Sequence, residues 1–268
     1  MINYPYRSLE DYLISHRLTV DAQLNDGWGA KFPVKGIEIE ATILYADISN
    51  FSARTLDLSS TEILIFANNF FSWITAEALR DTHGIIDKYI GDEIMIVFST
   101  EFGSEDPFKE ALQAARWMGQ HDALAFCPHI GIASGIVTIG YVGTPLKYSC
   151  SAFGTPLTFA NRCTSVKPKE SVSCSIVFPA NEWQDKNLDE MIPPEKHTKS
   201  DGSIQEMPQI WKLLEPRTER LKNIGDHKIQ EIVKTTVHIP MTPMEKRAKL
   251  ISRELLRKGL YRPILAQW

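Results

Sequence analysis

The chain has 268 residues, of which 43% are hydrophobic and 23% charged, so it is long enough to bury one sizeable core. Its formal net charge of -4 offers no general electrostatic attraction for nucleic acid. The four cysteines lack CxxC spacing, which argues against a zinc site, and reduced thiols in the cytoplasm are expected. No run of about 18 apolar residues and no basic-then-apolar leader occurs, so we expect neither secretion nor a membrane span.

The first elements in chain order are a helix, a buried strand and a second helix. Apolar residues at helical spacing predict a lead-in helix over residues 9–24. Residues 36–47 alternate and then become apolar, which is typical of a strand that lies centrally in a sheet. A capping box of Ser59 and Glu62 then opens a long helix, with Gly84 as its expected C′ residue.

Two β-rich runs, residues 85–90 and 93–98, predict a hairpin with Gly91-Asp92 at its turn. A helix is predicted over residues 107–126 and a strand over residues 129–141. The resulting order βαββαβ is typical of ferredoxin-like, palm-type domains. We therefore predict an α/β (α+β) fold built on this core.

The remaining chain is predicted to extend the core with a hairpin turn at residues 143–145, a strand over residues 147–153 and a short helix over residues 156–166. Three further strands are predicted over residues 173–178, 209–214 and 227–233. Residues 180–208 are polar and contain prolines, which predicts a surface excursion. A basic amphipathic helix is predicted over residues 242–258. These patterns divide the chain into three parts. Residues 1–35 are a helical lead-in, residues 36–235 form one main domain, and residues 236–268 form a basic C-terminal helix.

Two carboxylates stand at the ends of predicted strands that should be neighbours. Asp47 ends the first buried strand, and Asp92 occupies the turn of the next hairpin. A strand-terminal aspartate alone is more often a turn or cap residue, but a pair can share hard cations. Two ions about 4 Å apart activate a hydroxyl and neutralise a triphosphate. The pair therefore predicts a site for two divalent metal ions, Mg²⁺ or Mn²⁺.

Five segments resemble, in order and spacing, motifs of the class III adenylate and guanylate cyclases. They are DISNFS (47–52), KYIGD (88–92), HIGIASG (129–135), FGTPLTFANR (153–162) and LKNIG (221–225). The resemblance covers roughly residues 36–233. It implies a class III nucleotide cyclase catalytic domain, a lyase that closes a nucleoside triphosphate into its 3′,5′-cyclic monophosphate and releases pyrophosphate.

Carried over residue by residue, the resemblance assigns metal ligands and phosphate contacts. Asp47, Asp92 and the carbonyl of Ile48 would hold the metal ions. Backbone amides of three residues would face the phosphates: Asn50, Phe51 and Ser52. Arg162 would stabilise the charge that develops on the α-phosphate, a role suited to a permanently charged fork of donors.

Three positions depart from the family pattern. Asn50 replaces a glycine, and asparagine tolerates a positive φ. Thr158 replaces the asparagine that orients the ribose, so we expect altered geometry rather than lost activity, with Asn161 either compensating or serving as a surface residue. Ile224 replaces a lysine that binds the β- and γ-phosphates, which leaves Lys222 or Arg220 as weak substitutes.

Lys88 and Ser151 fall on the two positions that read the base. Guanine is disfavoured because its N1–H and N2–H₂ donors need an acceptor, whereas Lys88 presents only donors. Uracil, with acceptors at O2 and O4 and a donor at N3, suits a lysine and a serine hydroxyl at least as well as adenine does. The sequence also resembles the bacterial pyrimidine (uridylate and cytidylate) cyclases of Pycsar anti-phage defence, which implies UTP as substrate and cyclic UMP as second messenger.

The resemblance further implies a homodimer with shared active sites and a separate effector that senses the cyclic nucleotide. The alternatives left open are a cytidylate or adenylate cyclase and a non-catalytic cyclase-like regulatory module. A diguanylate cyclase or a palm polymerase would share the strand order, but the chain has no GGDEF-like hairpin. His129 is expected to be a structural residue at a strand end, since the histidines show no HExxH spacing.

Overall fold

The computed structural model describes residues 5–25, 31–122, 126–144, 147–168, 174–199 and 201–235, together with residues 250, 253 and 254. Its helices are α1 (Leu9–Ser15), α2 (Phe51–Thr55), α3 (Ser60–Ala78), α4 (Pro107–Gln120), α5 (Thr155–Thr164) and α6 (Leu188–Met191). Its strands are β1 (Val20–Asn25), β2 (Lys31–Asp47), β3 (Ile85–Ile90), β4 (Glu93–Phe98), β5 (His129–Thr144), β6 (Lys147–Phe153), β7 (Ser175–Pro179), β8 (Lys196–Thr198), β9 (Ile204–Glu206), β10 (Trp211–Leu213), β11 (Arg217–Leu221) and β12 (Gly225–Lys234).

The core follows the predicted order βαββαβ, made by β2, α3, β3, β4, α4 and β5. β2 runs for 17 residues between β4 and β5 and is antiparallel to both. The main sheet continues in the order β10-β12-β7-β5-β2-β4-β3, with β1, β11 and β6 paired to β2, β12 and β5 respectively. The predicted α+β class and the ferredoxin-like core are confirmed.

Helices cover both faces of this sheet because apolar side chains fill both faces of β2. Leu44 and Ala46 belong to the apolar cluster that contains α3 and α4, whereas Ile43 and Tyr45 belong to the cluster that contains α1 and part of α5. Fully burying such a side chain stabilises the fold by about 1.5–3 kcal/mol. This packing holds β2 in place and thereby positions its last residue, Asp47.

The N-terminal helix is shorter than predicted. α1 ends at Ser15, and β1 then pairs antiparallel with the beginning of β2. Leu18, one of the apolar residues that suggested a longer helix, packs against the core between the two elements. Backbone pairing with β2 therefore overrides the weak helical pattern of residues 20–24.

The long helix α3 begins as predicted but ends earlier. Ser59 and Glu62 form both hydrogen bonds of the capping box. α3 ends at Ala78, so Gly84 is not its C′ residue. Gly84 instead allows close packing, because a Cβ there would lie 2.7 Å from the ring of Phe98.

α4 likewise ends at Gln120 rather than near residue 126. Phe126 is buried against the rings of Phe66, Phe70 and Trp73, with centroid distances of 5.5, 5.2 and 5.2 Å. Its apolar character therefore reflects core packing and not continuation of the helix.

The predicted surface excursion at residues 180–208 is partly correct. It contains a 3-10 turn at Ala180–Trp183, α6 and the exposed two-stranded sheet of β8 and β9. Met191 and Ile192, however, are buried in the main core. This segment is therefore anchored at its middle.

Most of the predicted C-terminal helix lies outside the described residues. Residues 250, 253 and 254 are helical, and the Arg253 Nε lies 3.3 Å from Glu62 Oε1 on α3. Within the part of the chain that the structure describes, no helix is long and apolar enough to cross a membrane.

Candidate active site

Three carboxylates meet where β2 ends and the β3–β4 hairpin turns. Asp47 lies opposite Glu93, the first residue of β4, in the antiparallel pairing of β2 with β4. Asp92 occupies the adjoining turn, which Gly91 makes possible with a φ of 62°. The two aspartates predicted from sequence are thus brought together, and Glu93 joins them.

The charges of these carboxylates are poorly compensated. Burial and the neighbouring charges of Asp92 and Glu93 raise the pKa of Asp47 to about 7. Burial also raises the pKa of Asp92, and burial together with Asp92 raises that of Glu93. Such a cluster favours a cation, which would restore the charged form of each group.

Asp47 carries an orphaned oxygen. Its Oδ1 is buried and has no hydrogen-bond partner among the described residues. The nearest cationic candidate is His129, whose Nδ1 lies 4.0 Å from that oxygen, too far for a hydrogen bond. Burial and the charge of Lys167 lower the pKa of His129, so it is a poor counter-ion at neutral pH.

The loop after Asp47 has the predicted left-handed turn. Asn50 adopts φ 55° and ψ 36°, as the replacement of a glycine by asparagine predicted. The Ile48 carbonyl accepts a hydrogen bond from the Phe51 amide at 3.2 Å and keeps a second lone pair. Ser52 continues into the short helix α2.

The sequence reasoning missed Arg54, which fixes this loop. Arg54 is only 2% exposed, and its Nη1 donates to the Phe126 carbonyl at 2.9 Å. The same atom lies 3.4 Å from the Ser49 carbonyl, and the guanidinium lies over the Phe66 ring. The loop that follows Asp47 is therefore tied to the core beneath α3.

α5 brings Arg162 beside the carboxylates. The Asn161 amide lies 3.2 Å from Glu93 Oε2, and its oxygen accepts from Arg162 Nη1 at 3.2 Å. Arg162 Nε is buried and has no hydrogen-bond partner in the part of the chain that the structure describes. Thr158 is exposed one turn earlier on the same helix.

Close contact between α5 and β5 sets this placement. A Cβ on Gly131 would lie 1.9 Å from the Ala160 carbonyl, so only glycine allows the helix to approach so closely. Glu93 was absent from the sequence-predicted site. The sequence could have indicated Glu93, because it begins the predicted strand that should lie beside the strand ending at Asp47.

Lys88 and Ser151 also meet, although their strands are not neighbours in the sheet. Lys88 Nζ donates a hydrogen bond to the Ser151 hydroxyl, and both contact the carboxylate of Asp87. Ser151 is fully buried, whereas the Lys88 side chain is 38% exposed. Asp87 was not singled out from the sequence.

Lys222 lies apart from these groups. It is exposed at the tip of the β11–β12 hairpin, where Asn223 has φ 68°. Leu221, beside it, packs against Cys163 of α5. A cavity of about 860 Å³ opens between α5 and this region, and neither Asp47 nor Asp92 lines it.

The carboxylate cluster fits divalent metal ions. Among the described residues no group of three or more His, Cys, Asp and Glu side chains is arranged to hold an ion by itself. Mg²⁺ needs fewer protein ligands than this, since substrate phosphates and waters complete its shell. The orphaned oxygen of Asp47, the Asp92 carboxylate and the Ile48 carbonyl supply the oxygen donors that Mg²⁺ and Mn²⁺ prefer.

No protein-family model matches the chain. An adenylate cyclase of Anabaena cylindrica is 29% identical over 166 residues, which cover 54% of this chain and 32% of that protein. A terminal-differentiation-specific adenylate cyclase of Dictyostelium discoideum is 27% identical over 129 residues, which cover 45% of this chain and 6% of that protein. The chain thus spans less than a third of the length of these relatives.

Solved structures show the architecture directly. The adenylyl cyclase CyaB from P. aeruginosa superposes with a TM-score of 0.53 at 17% identity, over 76% of this chain and 99% of that one. The chain has the nucleotide cyclase fold. A bacterial light-regulated adenylyl cyclase shares this cyclase fold with a TM-score of 0.52 at 18% identity, over 82% of this chain and 58% of that one. The guanylyl cyclase Cya2 shares it with a TM-score of 0.50 at 19% identity, over 77% and 97% respectively.

Proposed function

We propose that the protein is a nucleotide cyclase that converts UTP into 3′,5′-cyclic UMP and pyrophosphate. The observation that carries the proposal is the buried Oδ1 of Asp47, which has no hydrogen-bond partner among the described residues and lies near the charges of Asp92 and Glu93 in a chain with the cyclase fold. The adenylate cyclases among its sequence relatives support the same class of reaction.

In the proposed reaction the ribose 3′-hydroxyl oxygen attacks the α-phosphorus. The new P–O bond forms as the bond from the α-phosphorus to the oxygen bridging it to the β-phosphate breaks, so pyrophosphate leaves and the hydroxyl proton passes to solvent. Two bound divalent ions, Mg²⁺ or Mn²⁺, would acidify the hydroxyl and neutralise the triphosphate. Asp47, Asp92 and the Ile48 carbonyl would hold those ions.

Arg162 would bind the α-phosphate as negative charge develops on its oxygens. Its guanidinium is oriented by Asn161, which is itself held by Glu93 of the same chain. In the proposed homodimer this preoriented arginine would act on the phosphate bound at the partner's carboxylates. A preoriented arginine in a partly buried site stabilises such charge more strongly than a mobile one does. Thr158, exposed on the same helix, would offer the ribose one hydroxyl.

The phosphates would lie over the loop after Asp47. Its turn presents the backbone amides of Asn50, Phe51 and Ser52, although the Phe51 amide already donates to the Ile48 carbonyl. The exposed Lys222 is a candidate for the outer phosphates. Its hairpin would approach the carboxylates of the partner chain in the homodimer.

A homodimer would complete the site, with the carboxylates of one chain facing Lys88, Thr158 and Arg162 of the other. Large apolar side chains on β5 and β6 support this arrangement, since they are 41–67% exposed: Ile136, Val142, Tyr148 and Phe153. Exposed apolar groups of this kind are typical of a surface that another protein covers.

The identity of the base and the biological role are the most specific parts of the proposal. Lys88 favours a base with acceptor oxygens, and uracil has two. The resemblance to Pycsar pyrimidine cyclases favours a role in anti-phage defence, in which cyclic UMP would be sensed by a separate effector. The alternatives to this part of the proposal are a cytidylate cyclase, an adenylate cyclase and a non-catalytic module.

The test measures products from ATP, GTP, CTP and UTP, each incubated with Mn²⁺ or Mg²⁺ and identified by mass spectrometry. The wild-type protein should form cyclic UMP, and Asp92→Asn should lower the rate about 100-fold or more because a metal ligand is lost. Asp81→Asn is the matched control, since Asp81 is exposed on a turn with φ 54°. Near-normal activity of Asp92→Asn would contradict the metal site, and no product from any nucleotide would contradict the cyclase.

A further inference from the structure

The proposed mechanism does not use Asp87, a buried carboxylate that forms an ion pair with Lys88. The side chain of Asp87 is only 1% exposed, and its Oδ2 lies 3.2 Å from Lys88 Nζ. The Ser151 hydroxyl donates to the same carboxylate oxygen at 2.7 Å and accepts from Nζ. The three side chains therefore form one closed hydrogen-bonded group.

A β-bulge places Asp87 in this group. In the pairing of β3 with β4, Ile86 lies opposite Ile96 and Lys88 lies opposite Met95, so Asp87 is the extra residue. Successive side chains of a regular strand point to opposite faces, but an extra residue re-aims its side chain. The bulge is what lets two consecutive residues reach the same serine hydroxyl.

The hydrogen bonds determine which polar groups can meet a base. The single hydroxyl hydrogen of Ser151 is directed to Asp87 at 2.7 Å, the shorter and charged alternative to the Ala152 carbonyl at 3.3 Å, and Ser151 itself is 0% exposed. The two acceptors of the group, the Asp87 carboxylate and the Ser151 oxygen, are thus buried and hydrogen-bonded to each other or to Lys88. The Lys88 ammonium has three N–H donors, of which two are engaged. The polar group that remains available to a base is the third N–H donor of Lys88.

We propose that Asp87 is a positioning residue that sets base specificity by holding Lys88 as a donor-only contact, an inference that rests on the proposed cyclase function. A carbonyl-bearing edge such as that of uracil accepts from Lys88. The exocyclic amines of adenine and cytosine need an acceptor that the sealed carboxylate and serine do not present. The ion pair also confines an ammonium that otherwise moves on a flexible four-carbon stem.

The test compares kcat/KM for UTP and for ATP in the wild-type protein and in Asp87→Asn. This change keeps the side-chain size but removes the charge that holds Lys88. The ratio of kcat/KM for UTP over ATP should fall about tenfold or more, chiefly through a higher KM for UTP, because the base lies away from the reacting atoms. The control Asp81→Asn should leave the ratio unchanged. In a Lys88→Gln background, Asp87→Asn should have no further effect on the ratio.

A purely structural role would lower kcat/KM for both nucleotides equally, and that result would overturn the inference. A wild-type preference for ATP would also overturn it. If Asp87→Asn does not fold, Ser151→Ala removes the other contact of Lys88 and should shift the ratio in the same direction; an unchanged ratio would again overturn it. A wild-type protein that cyclises neither nucleotide would instead overturn the proposed function and this inference with it.

Discussion

At the scale of single residues, Asp47 has the most unusual environment in the site. Its Oδ1 is buried and no described residue hydrogen-bonds to it, and burial with two neighbouring carboxylates raises the pKa of Asp47 to about 7. In the metal-free protein this carboxyl therefore keeps a proton that the unfolded chain releases near its ordinary pKa of 3.8. The folded state binds more protons between these values, so stability should fall as pH rises from about 4 to about 7.

Asp47→Asn should stabilise the metal-free protein at pH 8, because the amide carries no charge to bury beside Asp92 and Glu93. We expect the free energy of unfolding to rise by about 1–3 kcal/mol and its decrease between about pH 4 and 7 to flatten. Urea denaturation in EDTA measures both, with Asp81→Asn as the control. Mn²⁺ should stabilise the wild-type protein and not Asp47→Asn. A variant that is less stable than wild type at pH 8 would contradict the electrostatic account.

Individual residues were predictable where a local rule acts on them. Asn50 takes a left-handed conformation because the turn after β2 requires one, and the sequence motif marks that turn. Asp87 was not predictable, since its role depends on a bulge and on a serine 64 positions away. The hydrophobic pattern of β3 does not indicate such a bulge.

At the scale of elements, the site depends on how a loop and a helix are held against the sheet. α2 and the loop before it are fixed by Arg54, which donates to the carbonyl of Phe126 from within the core. α5 lies directly on Gly131 of β5 and carries Asn161 to Glu93. The geometry of the proposed active site therefore depends on packing at some distance from the carboxylates.

Arg54→Ala should destabilise the protein by about 3 kcal/mol, because it removes a buried side chain and leaves backbone carbonyls without their donor. Urea denaturation measures this loss. Arg17→Ala is the control, since Arg17 is exposed, and it should change stability by less than about 0.5 kcal/mol. Equal stability of the two variants would show that Arg54 does not hold the loop.

Element boundaries show where sequence patterns fail. Both ends of the long hairpin β3–β4 and of strand β6 match the prediction, since turn residues and alternating patterns bound them. Residues 20–24 were assigned to a helix, but they form β1 because the beginning of β2 offers an open edge. That edge is a long-range feature which helical spacing does not encode.

At the scale of the whole molecule, one chain would present an incomplete site. In the proposed dimer the carboxylates of each chain would be completed by Lys88, Thr158 and Arg162 of the partner, and the exposure of Thr158 and Lys222 is compatible with this exchange. Exposed apolar residues on β5 and β6 provide a surface for a second copy. The proposed dimer brings the missing groups to each carboxylate cluster.

The measurement that tests this account most directly is the complementation of two inactive variants. Asp92→Asn would lack a proposed metal ligand and Arg162→Ala the proposed α-phosphate contact, which the partner chain would supply, so each alone should form almost no cyclic UMP from UTP and Mn²⁺. When the two are mixed, half of the dimers pair one chain of each kind and contain one intact site, so about a quarter of the wild-type activity should return. A mixture as inactive as its components, beside an active wild type, would contradict the shared site, and an inactive wild type would contradict the cyclase itself.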